Sequence, residues 1–412
     1  MPVITVFSGS DCNEADVVRM VQSNTGYELI TDADIVTEAS RLSGLSKERM
    51  RRVFSSKKSI FGRFGWEKDR ALVYLKLALA NRLAGDDLLI TGFAGQLLPR
   101  AICHVLRVCI IAEMTYRLSN AKKTDGLSEK ETVKRINRLD EDRAAWMLTL
   151  FERKDPWDES LYDIVIPMDK TGTLKAVEII TENATKPVVK PTKHSRQAAK
   201  DFFLQTQVQE ALVNHGHFIE TEVSGNTVSL TINKHVLRLA RLEEELRSIV
   251  GTLAGVTTVT TKTGKGYHKS NVYRRHDFSL PDRVLIVDDE REFVQSLSQR
   301  LAMCDIGAAI SYDGESALDL IKEEAPEVMI IDLRMPGIDG FEILQRVKKN
   351  RPGVEVVVLT TGGSEVERQR CMDLGAFAFF QKPVDIDRLR ETLRKAKEKA
   401  RRHIPGEKDD PK

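Results

Sequence analysis

The stretch "RVLIVDDERE" (residues 283–292) sets four apolar residues, Val284 to Val287, directly before two adjacent carboxylates, Asp288 and Asp289. A short apolar run bounded by polar residues reads as a buried strand. Like charges side by side at its end repel each other, so a chain that keeps both needs something there to hold them. Four more apolar runs follow: "GAAISYD" (307–313), "VMIIDL" (328–333), "VEVVVLT" (354–360) and "AFAFFQ" (376–381). Helical patterns of ten or more residues separate them. Strands alternating with helices predict a doubly wound parallel α/β sheet over residues 283–400.

In such a sheet, ligands bind outside the carboxyl ends of the strands. The sequence puts Asp288 and Asp289 at the end of the first strand and Asp332 at the end of the third. Thr360 ends the fourth and Lys382 ends the fifth. Clustered carboxylates stay ionised together only if a cation joins them. All-oxygen ligands with room for water suit Mg²⁺. A carboxylate beside Mg²⁺ and a lysine can accept a phosphoryl group as an acyl phosphate. Helix capping would explain one such aspartate, but not this set of residue types at matched strand ends.

Over its whole length, segment 283–400 resembles a response-regulator receiver domain, with a flavodoxin-like fold. The resemblance implies that Asp332 is the phosphoacceptor. It implies that Asp289 and Asp332 ligate Mg²⁺ directly, Asp288 through water, and Arg334 through its backbone carbonyl. Thr360 and Lys382 would contact the phosphoryl oxygens, and the Lys382–Pro383 bond would be cis. Two positions depart from the family. The aromatic switch position is Phe379, which lacks a hydroxyl but keeps a rotamer switch. Thr361 stands where a smaller residue is common.

Segment 1–184 opens with "VITVF", then the turn "SGSDCNEA" and a helix. Strands are predicted at "LLITG" (88–92), "RVCIIA" (107–112) and "YDIVIPM" (162–168), which again makes a parallel α/β sheet. A strand–glycine turn–helix is where a phosphate-binding loop would sit, but the pattern G-x-x-x-x-G-K-[ST] is absent. The turn Gly9-Ser10, Glu14, "LLITGFAGQLL", "RVCIIAEMTYRL", "LDEDRAAWM" and "DPWDESLYDIVIPMD" carry a resemblance to the cytidylate-kinase-like family, and so to a P-loop-kinase-like sheet. Asp11 and Cys12 replace glycines of that pattern, and Phe93 replaces an arginine. A carboxylate about 4 Å from a bound phosphate costs up to about 4 kcal/mol at an effective dielectric near 20. That is close to a thousandfold in affinity, so ATP binding by this segment is not favoured. Gly9, Ser10, Arg117, Arg138 and Arg143 would form a vestigial nucleotide site. The expectation for the three arginines is a solvated helix face.

Segment 198–262 reads as helix, hairpin, helix and strand. "HFIETEVSGNTVSLTI" alternates apolar and polar residues on each side of Ser224-Gly225-Asn226, a hairpin pattern. This α-β-β-α-β order is a small α+β module that resembles a BON domain, read here as an interaction or dimerisation module. The leucines of "HVLRLARLEEELRSIV" are expected to face the core. Residues 185–197, "TKPVVKPTKHSRQ", read as a linker because prolines break helices. Residues 263–282 read as a second linker, polar and basic, and residues 401–412 as a charged tail.

The 412 residues allow two to four domains. Basic residues (63) nearly balance acidic ones (61), so net charge gives no general reason to bind nucleic acid or membrane. No apolar run is long enough to span a bilayer, and residues 1–18 do not read as an export signal. The five cysteines are dispersed, without C-x-x-C pairs, which suits thiols in a reducing cytoplasm. No helix-turn-helix follows the receiver-like segment, so direct DNA binding is not expected. The expected function is two-component phosphorelay signalling in the cytoplasm. A sensor histidine kinase is the donor, and an unidentified output protein reads the phosphorylated receiver. A homodimer is compatible with this. The alternative is a nucleoside-monophosphate kinase of cytidylate type, regulated by its receiver.

Overall fold

The structure is a computed structural model. It describes residues 2–56, 66–83, 85, 87–123, 127–236, 238–267, 280–304 and 306–402. The chain divides into two compact units, Met1–Lys57 with Lys68–Arg274, and Lys58–Glu67 with Arg275–Lys412. Among the described residues no helix is long and apolar enough to cross a membrane.

In the first unit the elements run β1 (Val3–Ser8), α1 (Glu14–Thr25), β2 (Glu28–Thr31), α2 (Asp32–Ser43), α3 (Lys47–Arg52), α4 (Trp66–Arg82) and β3 (Leu88–Thr91). Then come β4 (Val105–Ile111), α5 (Met114–Ala121), α6 (Glu129–Phe151), β5 (Ile164–Pro167), α7 (Met168–Thr171) and α8 (Thr173–Ala184). The five strands form a parallel sheet in the order β2-β3-β1-β4-β5. All six residues of β1 are buried, as a central strand covered on both faces requires. Helix α2 is fixed by a capping box between Thr31 and Asp34. The sequence reading missed β2. "ELIT" is a four-residue edge strand with only Ile30 fully buried, too short to show a period.

The expected linker 185–197 is largely structured. Val189 is buried in the core beside α1 and α8, and α9 (Lys193–Asn214) already begins inside it. Thr192 caps this helix. Its hydroxyl accepts the Ser195 N–H, and Ser195 Oγ accepts the Thr192 N–H. Pro187 opens a short 3₁₀ turn (Pro187–Val189) and Pro191 precedes the cap, so neither removes a needed helical donor.

Beyond α9 lie β6 (Glu220–Ser224), β7 (Thr227–Ile232), α10 (Leu239–Gly251) and β8 (Thr258–Thr263). β6 and β7 pair antiparallel around Gly225 (φ 60°), and β8 adds in parallel to β7. Leu242, Leu246 and Val250 of α10 pack with Val208 and Leu212 of α9 and with Val228, Leu230 and Ile232. The leucine stripe is therefore core, as its spacing predicted. This three-stranded module belongs to the same compact unit as the five-stranded sheet. The Tyr74 hydroxyl of α4 donates to Asn214 at the end of α9 (2.6 Å).

In the second unit the order is β9 (Val284–Val287), α11 (Arg291–Met303), β10 (Ala308–Ser311), α12 (Gly314–Glu323) and β11 (Val328–Ile331). It continues with α13 (Gly340–Asn350), β12 (Glu355–Thr360), α14 (Glu365–Asp373), β13 (Ala378–Gln381) and α15 (Ile386–Arg402). The strands lie parallel in the order β10-β9-β11-β12-β13, the flavodoxin-like arrangement. Alternate residues feed two cores, Leu285, Val287, Met329 and Ile331 on one face, Val284, Ile286, Val328 and Ile330 on the other. Each such side chain contributes about 1.5–3 kcal/mol on burial. The expected linker 263–282 and tail 401–412 lie mostly outside the described residues.

Candidate functional site

The acidic pocket forms where β9, β11, β12 and β13 end. Because the strands are parallel and in register, residues just past each strand meet at one edge. Asp288 (2% exposed) and Asp332 (5%) are buried there. Lys382 Nζ reaches between them, 2.6 Å from Asp288 Oδ2 and 2.9 Å from Asp332 Oδ2. It also lies 3.6 Å from the exposed Glu290 and 4.2 Å from the centre of the Phe293 ring. Burial pushes the Asp288 carboxyl above its usual range, and neighbouring Asp332 adds to that, while Lys382 opposes it. Burial also works against the Lys382 charge, yet its bonds to Asp288 and Asp332 hold the ammonium above its ordinary range.

Thr360 is 1% exposed, and among the described residues its buried hydroxyl has no hydrogen-bond partner. An unmet buried hydroxyl costs roughly 1–3 kcal/mol, and a ligand oxygen at the pocket would relieve that cost. Asp289 is exposed, and among the described residues no group of three or more acidic, His or Cys side chains is drawn together. The set Asp288, Asp289 and Asp332 is thus only partly assembled. Lys382 reaches two of them, and a third carboxylate moving in would meet two like charges. The donor set still suits a hard divalent cation: carboxylate oxygens outnumber the single ammonium, and all are oxygen ligands.

The backbone around the pocket is tightly specified. The Arg334 N–H donates to Asp332 Oδ1 (3.1 Å). A Cβ on Gly340 would come 2.3 Å from the Asp332 carbonyl oxygen, so only glycine fits. Phe379 is half-buried, and a Cβ on Gly363 would meet its ring at 2.3 Å. Thr361 is exposed. The Lys382–Pro383 peptide is cis, as expected. Phe293 and Glu290 were not anticipated. Residue 293 lies four positions after Asp289, in the first turn of α11, and that spacing is the signal that could have suggested Phe293.

The N-terminal turn is built differently. The Gly9 N–H donates to the Ile110 carbonyl (2.9 Å), and Asp11 and Asn13 both have φ 60°. Arg117 is buried. It donates to Ser10 O and Ser10 Oγ (2.7 Å each) and to both Asp140 oxygens (2.8 Å each). Arg143 donates to the Ser8 and Leu139 carbonyls and lies 5.7 Å from the centre of the Phe93 ring. The expectation of a solvated face is wrong for both, because the turn's carbonyls and Asp140 need buried donors. It holds for Arg138, which is exposed. Arg135, which was missed, binds both oxygens of Asp11 at 3.0 Å. In α6, positions 132, 136, 140, 143 and 147 share a face by i+3 and i+4 spacing. That period selects Asp140 and Arg143 over Arg138.

Phe93 packs edge-on to Phe7 (5.8 Å) and against Phe54 (5.2 Å). The Phe93 and Ala94 N–H groups donate to Asp32 (2.9 and 2.8 Å). Burial raises the Asp32 carboxyl to about 6 despite those two bonds. Burial pushes the Cys12 thiol up to about 12, so it is not a nucleophile at neutral pH.

Comparison with known proteins agrees with both readings. Residues 284–394 match the response regulator receiver domain family, and residues 3–170 match the cytidylate kinase-like family. The response regulator MprA of Mycolicibacterium vanbaalenii is 32% identical over 115 residues, covering 28% of this chain and 50% of that protein. The probable transcriptional regulator ycf27 of Guillardia theta is 35% identical over 118 residues, 29% of this chain and 46% of that protein. The chain spans about half the length of these curated relatives. Among solved structures, a response regulator receiver domain protein from Clostridium thermocellum is 26% identical, covering 30% of this chain and 98% of that one (TM-score 0.29). The beryllofluoride-activated NtrC4 receiver domain dimer is 32% identical, covering 29% and 98% (TM-score 0.28). The two family matches end at residue 170 and begin at residue 284. The BON-like reading of the middle module therefore rests on its element order alone.

Proposed function

We propose that Asp332 accepts a phosphoryl group and that the protein is a cytoplasmic two-component signalling protein whose receiver controls partner interactions. The observation that carries this is the pocket itself: two buried carboxylates sharing one ammonium, beside a buried hydroxyl with no partner among the described residues. The donor is a sensor histidine kinase. An Asp332 carboxylate oxygen forms a bond to phosphorus as the bond to the donor breaks, and the donor imidazole leaves with its electron pair. Lys382 holds positive charge beside the accepting oxygen, and the Thr360 hydroxyl donates to a phosphoryl oxygen. Asp289, Asp332 and the Arg334 carbonyl would hold Mg²⁺ directly and Asp288 through water, and the bound ion would neutralise charge on the phosphoryl group. Thr360 drawn toward that group leaves room for Phe379 to turn inward, which alters the face of α14, β13 and α15 that an output protein reads.

The test is incubation with acetyl phosphate, with and without Mg²⁺. Wild type should be labelled only with Mg²⁺, and Asp332→Asn not at all. Equal labelling of both proteins rejects the assignment. Asp289→Ala should abolish Mg²⁺ binding, and survival of that binding would remove Asp289 from the ligand set.

The match of residues 3–170 to the cytidylate kinase-like family favours a second reading, a receiver-regulated nucleoside-monophosphate kinase. The turn speaks against it: Asp11 carries a carboxylate there, and Arg117 and Arg135 are committed to Asp140 and Asp11. We expect no useful turnover in a coupled assay with ATP and CMP, UMP or AMP. Turnover near about 1 s⁻¹, the low end of ordinary enzymes, would establish the second reading.

A further inference from the structure

Where α4 faces the end of α9, within the first unit, lies a cavity of about 250 Å³. Leu72, Val73, Leu212 and Phe218 give it apolar walls. The walls are fixed: Tyr74 bonds Asn214 (2.6 Å), and His217, 1% exposed, bonds Glu245 (3.2 Å). Ligand sites favour such junctions between substructures.

Two polar groups line this hollow without side-chain hydrogen bonds among the described residues. Lys76 is half-buried and, among the described residues, has no hydrogen bond or ion pair. Gln209 likewise makes no side-chain hydrogen bond. Two other buried or half-buried lysines are answered, Lys397 by Asp282 and the Leu280 carbonyl, Lys382 by Asp288 and Asp332. A cation taken out of water without a counter-ion is costly. Burial pulls the Lys76 ammonium below its ordinary range, with only Asp69 opposing. Of the lining carboxylates, Glu220 accepts from Asn233 (2.6 Å), while Asp69, exposed and without a hydrogen bond among the described residues, spreads its charge over Lys68, Lys234 and Lys76. The hollow therefore presents, among the described residues, one ammonium without a hydrogen-bonded counter-ion, one amide without a side-chain hydrogen bond, and an apolar wall.

We propose that this cavity binds a small organic monocarboxylate, its carboxylate on Lys76 and Gln209 and its aliphatic or aromatic tail on Leu72, Val73, Leu212 and Phe218. At ~30 Å³ per water the space holds about eight waters, which suits an acid of about five to eight carbons. The ligand would bridge α4 of the five-stranded sheet domain and α9 of the three-stranded module.

The test is calorimetric titration of the full chain with hexanoate, and with acetate and hexan-1-ol at matched ionic strength. Saturable hexanoate binding is expected, with acetate and hexanol at least about tenfold weaker, since each lacks one of the two contacts. Lys76→Met should weaken hexanoate about tenfold to a hundredfold and raise the melting temperature of the free protein. Absence of saturable hexanoate binding, or equal binding by Lys76→Met, overturns the proposal. If Lys76→Met does not fold, Gln209→Leu decides: weaker hexanoate binding supports the proposal, and unchanged binding overturns it.

Discussion

The turn after β1 and the pocket after β9 each follow the carboxyl end of the first strand of a parallel sheet, yet their polar groups are disposed in opposite ways. At the first, donors and acceptors are matched within the chain: Arg117 with Asp140 and Ser10, Arg135 with Asp11, Arg143 with the Ser8 carbonyl. At the second, Thr360 has no hydrogen-bond partner among the described residues, one lysine serves several carboxylates, and Asp289 stays exposed. A self-satisfied site gains stability from its charges. An unsatisfied one gives up stability to keep groups ready for a ligand. The same strand-turn geometry can therefore be a structural joint or a reactive edge, and hydrogen-bond satisfaction tells them apart.

Breaking the matched site should produce the largest change. Arg117→Met leaves Asp140 without its bidentate partner and should destabilise the first unit by about 3 kcal/mol, the low end for a broken buried pair because Asp140 is partly exposed. Urea unfolding measures this, and a loss under about 1 kcal/mol would mean the network is not what holds the turn. The pH dependence comes next. Asp32 titrates at about 6 when folded against 3.8 unfolded, so the folded state holds the proton more tightly. Stability should fall as pH rises from about 4 to about 6, by roughly 2 kcal/mol from this group. Asp32→Asn should flatten that slope relative to wild type, and an unchanged slope would contradict the assignment.

The unsatisfied site predicts the reverse sign. Thr360→Val keeps the shape and removes the unmet hydroxyl, so it should raise stability by about 1 kcal/mol while slowing phosphoryl labelling. A loss of stability would show that the hydroxyl is satisfied after all. The smallest effect belongs to Asp11→Gly. Glycine suits φ 60°, which offsets the loss of a pair whose Arg135 side chain is about a third exposed, so stability should change by about 1 kcal/mol or less. Pyrophosphate should then raise the melting temperature of this variant more than that of wild type. An equal response would mean that Asp11 does not guard the turn.

The sequence carried the second unit almost whole. Each apolar run became a strand, and Asp288, Asp332, Thr360 and Lys382 converged because parallel register brings strand ends together. It could not show that Lys382 would pair with Asp288 and Asp332 and leave Asp289 outside, since pairing depends on distances of a few ångströms. The first unit was less legible. β2 is too short to show a period. Arg135 and Arg143 look like surface charges until Asp11 and the Ser8 carbonyl are placed opposite them. The 185–197 stretch read as a linker because its prolines look disruptive, while the Thr192–Ser195 cap is a signal of only four residues.

The central claim is that Asp332 is the reactive group of the unsatisfied site. Borohydride converts an aspartyl phosphate to homoserine, which marks the position permanently. The protein is phosphorylated with acetyl phosphate and Mg²⁺, reduced, digested, and its peptides sequenced by tandem mass spectrometry. Homoserine at position 332, absent when Mg²⁺ is withheld, is the predicted result. Homoserine at position 288 or 289 instead, or a phosphoryl group found only on a serine, threonine or histidine, would contradict the account.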